Sequence, residues 1–496
     1  MISDLTARNV LIGKYANDFS LPKEIAEIVA RRYPEYSDAE KYVFPDLVRL
    51  HDPGLLPDIE AAGQEIIKTT RRGDGILIYT HDDVDGYTSA ALAYKALNDI
   101  ARARNLIHVY PIVREQDGYI LNPQVLRSYR EKGVKLLLTV DFGISNVANF
   151  RIAEQEGLKA VICDHHETTL TDFPSPAVDP KRPDSHYPFR ELAGVGVVFK
   201  LVQYLYRAAL GLNAEEFFSL KKDFFAIACL GTLADRVMLS DENRILCVNG
   251  LNVLRDLEKP WLHCLRSFGN IDITRILREV IPVLGSAAYT DPRLGVEFFI
   301  ENDQSRVVDC YNTLRETDQR RRRSTDDLFS EILSKAMVDS RAVIAIVPLS
   351  KQHYLGSVAA RLRDFYKRTS VIIGVGDEKC IGELRSCNLD LHALLRSLRD
   401  LFLDFGGHKK AAGFSMEKAN LDIFLEKLHR YIDEHEADMI DECSPVDHEA
   451  ETFLRRADVN MLRILLPFGE GNPAPLLSDG ATLYTVDNAL NVIEKT

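Results

Sequence analysis

The stretch KAVICDHHET, Lys159–Thr168, decides the fold. Its first half is a short apolar run, the pattern of a strand buried on both faces, and it stops abruptly at Asp164, His165 and His166. Three polar residues at the end of a buried strand are costly unless something pairs with them. Outward from this stretch the same arrangement recurs. GILIYT (75–80) runs into His81, Asp83 and Asp85; KLLLTV (135–140) runs into Asp141; and the apolar IACLGTLAD (227–235) ends at Asp235. Helical stretches separate these runs. Such alternation over 75–240 implies a parallel sheet covered by helices, and open α/β sheets place their sites at the carboxyl ends of the strands.

Each acid alone has a bland reading, because an Asp after a strand is commonly a helix cap. Together they do not. Six or seven carboxylates and imidazoles converging on one crevice repel one another unless cations sit among them, so the pattern points to two divalent ions. A calcium-binding EF-hand loop starting at His81 is excluded, since Leu92 stands where the bidentate Glu belongs. Gly194 and Gly196 in AGVGVVF read as close helix packing, because Phe199 occupies the third-glycine position of a dinucleotide fingerprint. Cys163 reads as a buried strand residue, not a nucleophile.

The remaining chain divides on composition. With 496 residues it exceeds the roughly 250–300 that one core supports. Residues 1–70 read as a helical N-terminal arm, 71–240 as the catalytic α/β domain, and 241–335 as a helical region with a linker helix. Residues 336–445 carry a second α/β pattern, RAVIAIVPL followed by TSVIIGVG, and 446–496 hold PFGEGNPAPLL and ATLYTV, an incomplete C-terminal β segment. The fold class is therefore two α/β domains joined by a long helical linker. Four consecutive arginines, Arg320–Arg323, cannot share one helix face and read first as a solvated stretch of that linker.

A net charge of −13 argues against a generally basic nucleic-acid binder but leaves room for a local basic groove. Eight scattered cysteines without a CxxC pair suggest neither a zinc ribbon nor a disulfide framework. No apolar run approaches a membrane span of about 20 residues, so a cytoplasmic protein with reduced thiols is expected.

The combination THDDVDG, VDFGIS, CDHHE and GTLAD resembles the DHH phosphoesterase superfamily, whose triplet stands at 164–166. DFGGHKKAAGFS (404–415) is similar to the signature of the DHH-associated domain. LHDPGLLPDI, LAGVGVVFK, DENR (241–244) and PFGEGNPAP (467–475) narrow the resemblance to the RecJ exonuclease branch. It implies that His81, Asp83 and Asp141 hold one metal, and that Asp85, Asp141, His165 and Asp235 hold the other. His166 would then face the substrate phosphate, with Asp164 orienting its neighbours. Arg385, Ser386, Gly406, Gly407 and His408 would bind substrate phosphate in the second domain. His81 stands where bacterial RecJ usually has Asp, which hints at manganese before magnesium.

The resemblance further implies 5′-to-3′ hydrolysis of single-stranded DNA by a two-metal mechanism without a protein nucleophile, in repair or recombination, with single-strand-binding or replication proteins as partners and no membrane. It also implies that residues 446–496 open an oligonucleotide-binding barrel. The alternatives are a DHH phosphodiesterase acting on short oligonucleotides or cyclic dinucleotides, and a non-catalytic replication scaffold. The scaffold predicts broken motifs, whereas every expected ligand is present.

Overall fold

The computed structural model describes residues 2–101, 106–113, 117, 120–145, 148–254, 256–334, 337–338, 342–387, 389–435, 448–449, 459–480 and 482–495. The chain forms two compact units, one of residues 1–317 with 445–496 and one of residues 318–444.

The first unit is built on β1 (Gly75–Thr80), β2 (Ile107–Pro111), β3 (Val134–Val140), β4 (Lys159–Cys163) and β5 (Ala177–Val178). All neighbours are parallel, in the order β2-β1-β3-β4-β5. Helices cover both faces, so the strands read as continuous apolar runs and not as alternation. Ile76, Ile78, Leu136, Leu138 and Val161 enter the core on one face, and Leu77, Tyr79, Leu137, Ala160 and Ile162 enter the core on the other. The strand order reverses between β1 and β3, which is where such sheets open a crevice. Register brings the ends level: Thr80 lies opposite Val140, and Val140 opposite Cys163.

The helices that matter here are α1 (Ile2–Asp18), α2 (Lys23–Arg32), α3 (Tyr36–Val43), α4 (Ile59–Arg72), α5 (Val84–Ile100), α6 (Pro123–Glu131), α7 (Ala148–Gln155), α8 (Gly194–Leu210), α9 (Lys222–Asp235), α10 (Asp241–Val253) and α11 (Gln304–Leu333). Helices α5 and α8 pack on each other and on the sheet, and α9 packs on both of them. The expected linker is α11, one helix of 30 residues whose sequence passes from the first unit into the second. Within it Asp318 accepts from Arg321 Nη2 at 2.9 Å and from Arg322 Nε at 2.6 Å, so part of the arginine run is held by its own helix.

The C-terminal segment has a place that linear division of the sequence does not contain. Val459, Leu462, Leu465, Phe468, Leu477 and Val486 share one apolar cluster with Ile12, Tyr15, Ile25, Val29 and Tyr42 of the N-terminal arm. A turn of α10, the DENR stretch, pins both ends of the chain. Arg244 donates to the carbonyls of Tyr42 (3.0 Å), Ile464 (2.8 Å) and Leu466 (3.1 Å) and stacks on the Tyr42 ring at 3.9 Å. Asn472, from PFGEGNPAP, donates to the carbonyls of Leu465 and Pro467, both at 2.7 Å. Glu242, fully buried, accepts from Lys200 Nζ at 2.8 Å, the His51 amide at 3.0 Å and the Tyr187 hydroxyl at 2.6 Å. ATLYTV supplies β14 (Leu483–Val486) of a small sheet ordered β12 (His448–Glu449), β13 (Leu477–Ser478), β14, β15 (Val492–Lys495).

The second unit holds a mixed sheet of six strands, β6 (Met337–Val338), β7 (Ala342–Pro348), β8 (Thr369–Val375), β9 (Lys379–Arg385), β10 (Phe402–His408) and β11 (Ala411–Glu417), ordered β10-β11-β9-β8-β7-β6. Only β7 and β8 are parallel, and α12 (Leu355–Tyr366) makes their crossover.

A buried ion pair that loses one partner leaves a charge in the core. Lys200→Met, which leaves Glu242 with only the Tyr187 and His51 donors, is expected to lower unfolding free energy by about 3 kcal/mol in urea titration.

Candidate metal centre

Three strand ends and one helix end build the site. After β1 the chain turns through His81 to Asp83, the N-cap of α5, whose Oδ1 accepts from the Gly86 amide at 2.9 Å. Its Oδ2 accepts from His81 Nδ1 at 2.9 Å, so the cap residue also turns an oxygen toward the crevice. Asp85, buried in the first turn of α5, accepts from the amides of Gly194 (2.7 Å) and Val195 (2.8 Å) at the N-terminus of α8. Asp141 follows β3 with φ of 54°, a left-handed conformation, and its amide donates to the Cys163 carbonyl at 2.9 Å. A Cβ on Gly194 would stand 2.7 Å from Asp141 Oδ1, so only glycine lets α8 come this close.

The DHH triplet divides its work. Asp164 accepts from the amides of Ile144 (2.8 Å) and His165 (2.7 Å) and from His166 Nδ1 at 2.7 Å. His165 donates from Nδ1 to the Leu192 carbonyl at 3.1 Å, which leaves the Nε2 lone pair toward the acids. That Nε2 lies 3.2 Å from Asp141, 3.7 Å from Asp235 and 3.9 Å from Asp85. The donor atoms fall into compact groups: His81, Asp83 and Asp141; Asp85, His165 and Asp235; and Asp141, His165 and His166, each within 4.8 Å. Every residue expected to bind metal is thus brought together, and Asp141 and His165 each belong to two groups.

The electrostatics show how strongly such a set concentrates negative charge. Burial, and then the charges of Asp235 and Asp83, push the Asp85 carboxyl well above the usual range. Burial and Asp85 do the same to Asp141. Burial lowers His165 to about 4. Burial works against His166 too, but Asp164 beside it raises the imidazole to about 9. Burial likewise opposes ionisation of Asp164, and the charge of His166 overcomes it and holds the carboxyl low. Among the described residues no lysine or arginine pairs with Asp83, Asp85, Asp141 or Asp235. Carboxylate oxygens with imidazole nitrogens suit a divalent cation of hard or borderline character, so the residues present fit the group.

In the second unit Arg385 ends β9 opposite Ala411, and Ala411 faces His408 on the other side. Arg385, Gly407 and His408 therefore lie at one end of three adjacent strands. Gly406 and Gly407 are exposed, and Gly407 has φ of 127°, which excludes other residues. Arg385 donates to Glu383 at 2.8 Å, and the side chain of His408 lies outside the described residues. Ser386 is a correction: the hydroxyl expected on phosphate is buried, accepts from the Leu389 amide at 2.8 Å and lies 3.1 Å from the Thr369 hydroxyl. It closes the turn after β9 and has no face for a ligand.

Sequence reasoning missed the Gly194 and Val195 amides, although the small residues of LAGVG immediately before an apolar helix are their signal.

Comparison with known families fits this geometry. The DHH family, N-terminal domain, matches residues 75–232, and the DHHA1 domain matches 341–434. The chain thus carries a DHH domain and a DHHA1 domain and is similar to RecJ exonucleases. It is 29% identical over 486 residues to the single-stranded-DNA-specific exonuclease RecJ of Bacillus subtilis, covering 92% of this chain and 59% of that protein. The Dickeya dadantii protein of the same description is 29% identical, with 92% and 84% covered. A solved structure of exonuclease RecJ bound to manganese is 25% identical, with a TM-score of 0.64 over 79% of this chain and 98% of that one. RecJ of Thermus thermophilus, 22% identical, matches in fold with a TM-score of 0.77 over 98% of this chain and 72% of that one. The DHH domain is the parallel-sheet unit, and the DHHA1 domain is the mixed sheet.

Gly194→Ala puts a methyl against Asp141 at a helix start where alanine is otherwise welcome. Mn²⁺ affinity of the DHH domain is expected to fall about 10–100-fold in calorimetric titration, with the far-ultraviolet spectrum unchanged.

Proposed function

We propose that the chain is a metal-dependent exonuclease that hydrolyses the phosphodiester bonds of single-stranded DNA from the 5′ end, releasing mononucleotides, in repair or recombination. One observation carries the reading: four carboxylates and two imidazoles gather as a His81–Asp83–Asp141 group and an Asp85–His165–Asp235 group, with His165 Nε2 3.2 Å from Asp141, and among the described residues no lysine or arginine pairs with those carboxylates. The description of the Bacillus and Dickeya relatives, and the manganese named for one solved relative, support substrate and metal.

His81, Asp83 and Asp141 would hold one ion, and Asp85, Asp141, His165 and Asp235 the other, manganese first and magnesium as the alternative. When bound, the pair supplies an activated water and neutralises charge building on the phosphate. The protein does the rest. Asp164 keeps the proton on His166 Nδ1, and the exposed side of that ring turns Nε2–H to a phosphate oxygen. Backbone donors at Gly194 and Val195 hold Asp85 so that its oxygens cannot swing away. Exposed Gly406 and Gly407, with Arg385 and His408, offer a further phosphate grip in the DHHA1 domain, because Arg presents a planar fork and glycine lets a phosphate reach the backbone. A cytoplasmic location belongs to the same proposal; no single helix among the described residues is long and apolar enough to cross a membrane.

A time course on 5′- and 3′-labelled single strands of 10 and 40 nucleotides with Mn²⁺ tests the reading. Immediate release of 5′-labelled mononucleotide with stepwise shortening of the 3′-labelled strand is expected. Cleavage confined to the shortest strands moves the activity to short oligonucleotides, and no cleavage by the native chain leaves the scaffold alternative. Asp141→Ala, or chelation of the metal, is expected to lower the rate at least about a thousandfold, roughly 4 kcal/mol of barrier.

A further inference from the structure

β5 is the fourth strand of the row to end in an acid, since Cys163 pairs with Val178 and Asp179 then stands beside Asp164. The turn that follows is locked on both sides. Asp179, fully buried, accepts from the Lys181 amide at 2.6 Å, and its Oδ2 has no partner among the described residues. Arg182, also buried, donates to Asp58 at 2.5 Å, to the Ala177 carbonyl at 2.7 Å and to both oxygens of Asp184. Arg190 adds a bond to the Lys181 carbonyl at 2.5 Å.

Between these anchors the Lys181 side chain is only 11% exposed, yet its ammonium makes no hydrogen bond among the described residues. Its anionic neighbours are Glu167 at 3.7 Å and Glu191 at 3.9 Å, both beyond hydrogen-bond reach. Glu167 directly follows the DHH triplet, and Glu191 directly precedes Leu192, whose carbonyl orients His165. An ammonium that makes no hydrogen bond among the described residues has donors to offer an anion.

We propose that Lys181 is a substrate-contacting residue of the DHH site, donating from Nζ to a non-bridging oxygen of the phosphate that the metal ligands surround. This rests on the reading of that site as a phosphodiesterase. Lysine suits the task as a compact point charge that adds positive potential beside a mostly acidic cluster. The competing role, a spacer between Glu167 and Glu191, is structural and makes no demand on phosphate.

The test compares Lys181→Met and Lys181→Arg with the native chain. Steady-state hydrolysis of a single-stranded 10-mer gives kcat/KM, and calorimetry with Mn²⁺ present gives the affinities of thymidine 5′-monophosphate and thymidine. Lys181→Met should lower kcat/KM about 10–100-fold and weaken the monophosphate to a similar extent. Thymidine affinity, Mn²⁺ affinity and the unfolding temperature should stay as they are, and Lys181→Arg should restore most of the loss. Equal monophosphate affinity in native and Lys181→Met, including no measurable binding by either, overturns the proposal, as does a loss that follows Mn²⁺ affinity. Native protein that leaves DNA intact but loses monophosphate on Lys181→Met would sink the nuclease reading and keep this one.

Discussion

Like charges converging at the ends of parallel strands are the constraint on which this molecule depends. Asp83, Asp85, Asp141 and Asp164 come from three neighbouring strand ends that register holds level, and Asp235 arrives from a helix end. The protein compensates part of this charge itself. Amides at the start of α8 take Asp85, the Ile144 amide and His166 take Asp164, and His81 takes one oxygen of Asp83. What is left, chiefly on Asp85 and Asp141, is carried as carboxyls pushed toward their protonated form. Cations complete the arrangement, because they neutralise charge without filling the crevice with side chains.

Rigidity is the second requirement, since ligands that repel one another separate unless the backbone holds them. Helix α8 carries both the amides that fix Asp85 and, further along the same rod, Lys200 in its buried pair with Glu242. Glu242 belongs to α10, the helix that follows the one ending at Asp235. The buried pair therefore ties together the elements that flank the site. Arg244, two residues on, fastens the N-terminal arm and the 464–472 segment to the same helix. The DENR and PFGEGNPAP stretches are thus structural pins, and their chemistry is the satisfaction of carbonyls at a seam between distant parts of the chain.

Much of this was legible in the sequence where physics is local. GILIYT, KLLLTV and KAVIC are apolar throughout because helices cover both faces, and the acids after them stand out because the change is abrupt. Long-range features were not legible. Gly194 reads as helix packing, but the reason for glycine is the Asp141 oxygen across the crevice. Arg385 and Ser386 are neighbours in sequence and point opposite ways, since adjacent residues along an extended chain alternate faces, so a phosphate role for one does not extend to the other. Lys181 escaped notice because β5 is too short to leave an apolar signature.

The most direct measurement of the central claim is the number of Mn²⁺ ions held by the native chain at neutral pH, by equilibrium dialysis. The account predicts two per chain, because His81, Asp83 and Asp141 form one set of ligands and Asp85, His165 and Asp235 a second. One ion, or none at concentrations that saturate ordinary carboxylate–imidazole sites, would contradict it.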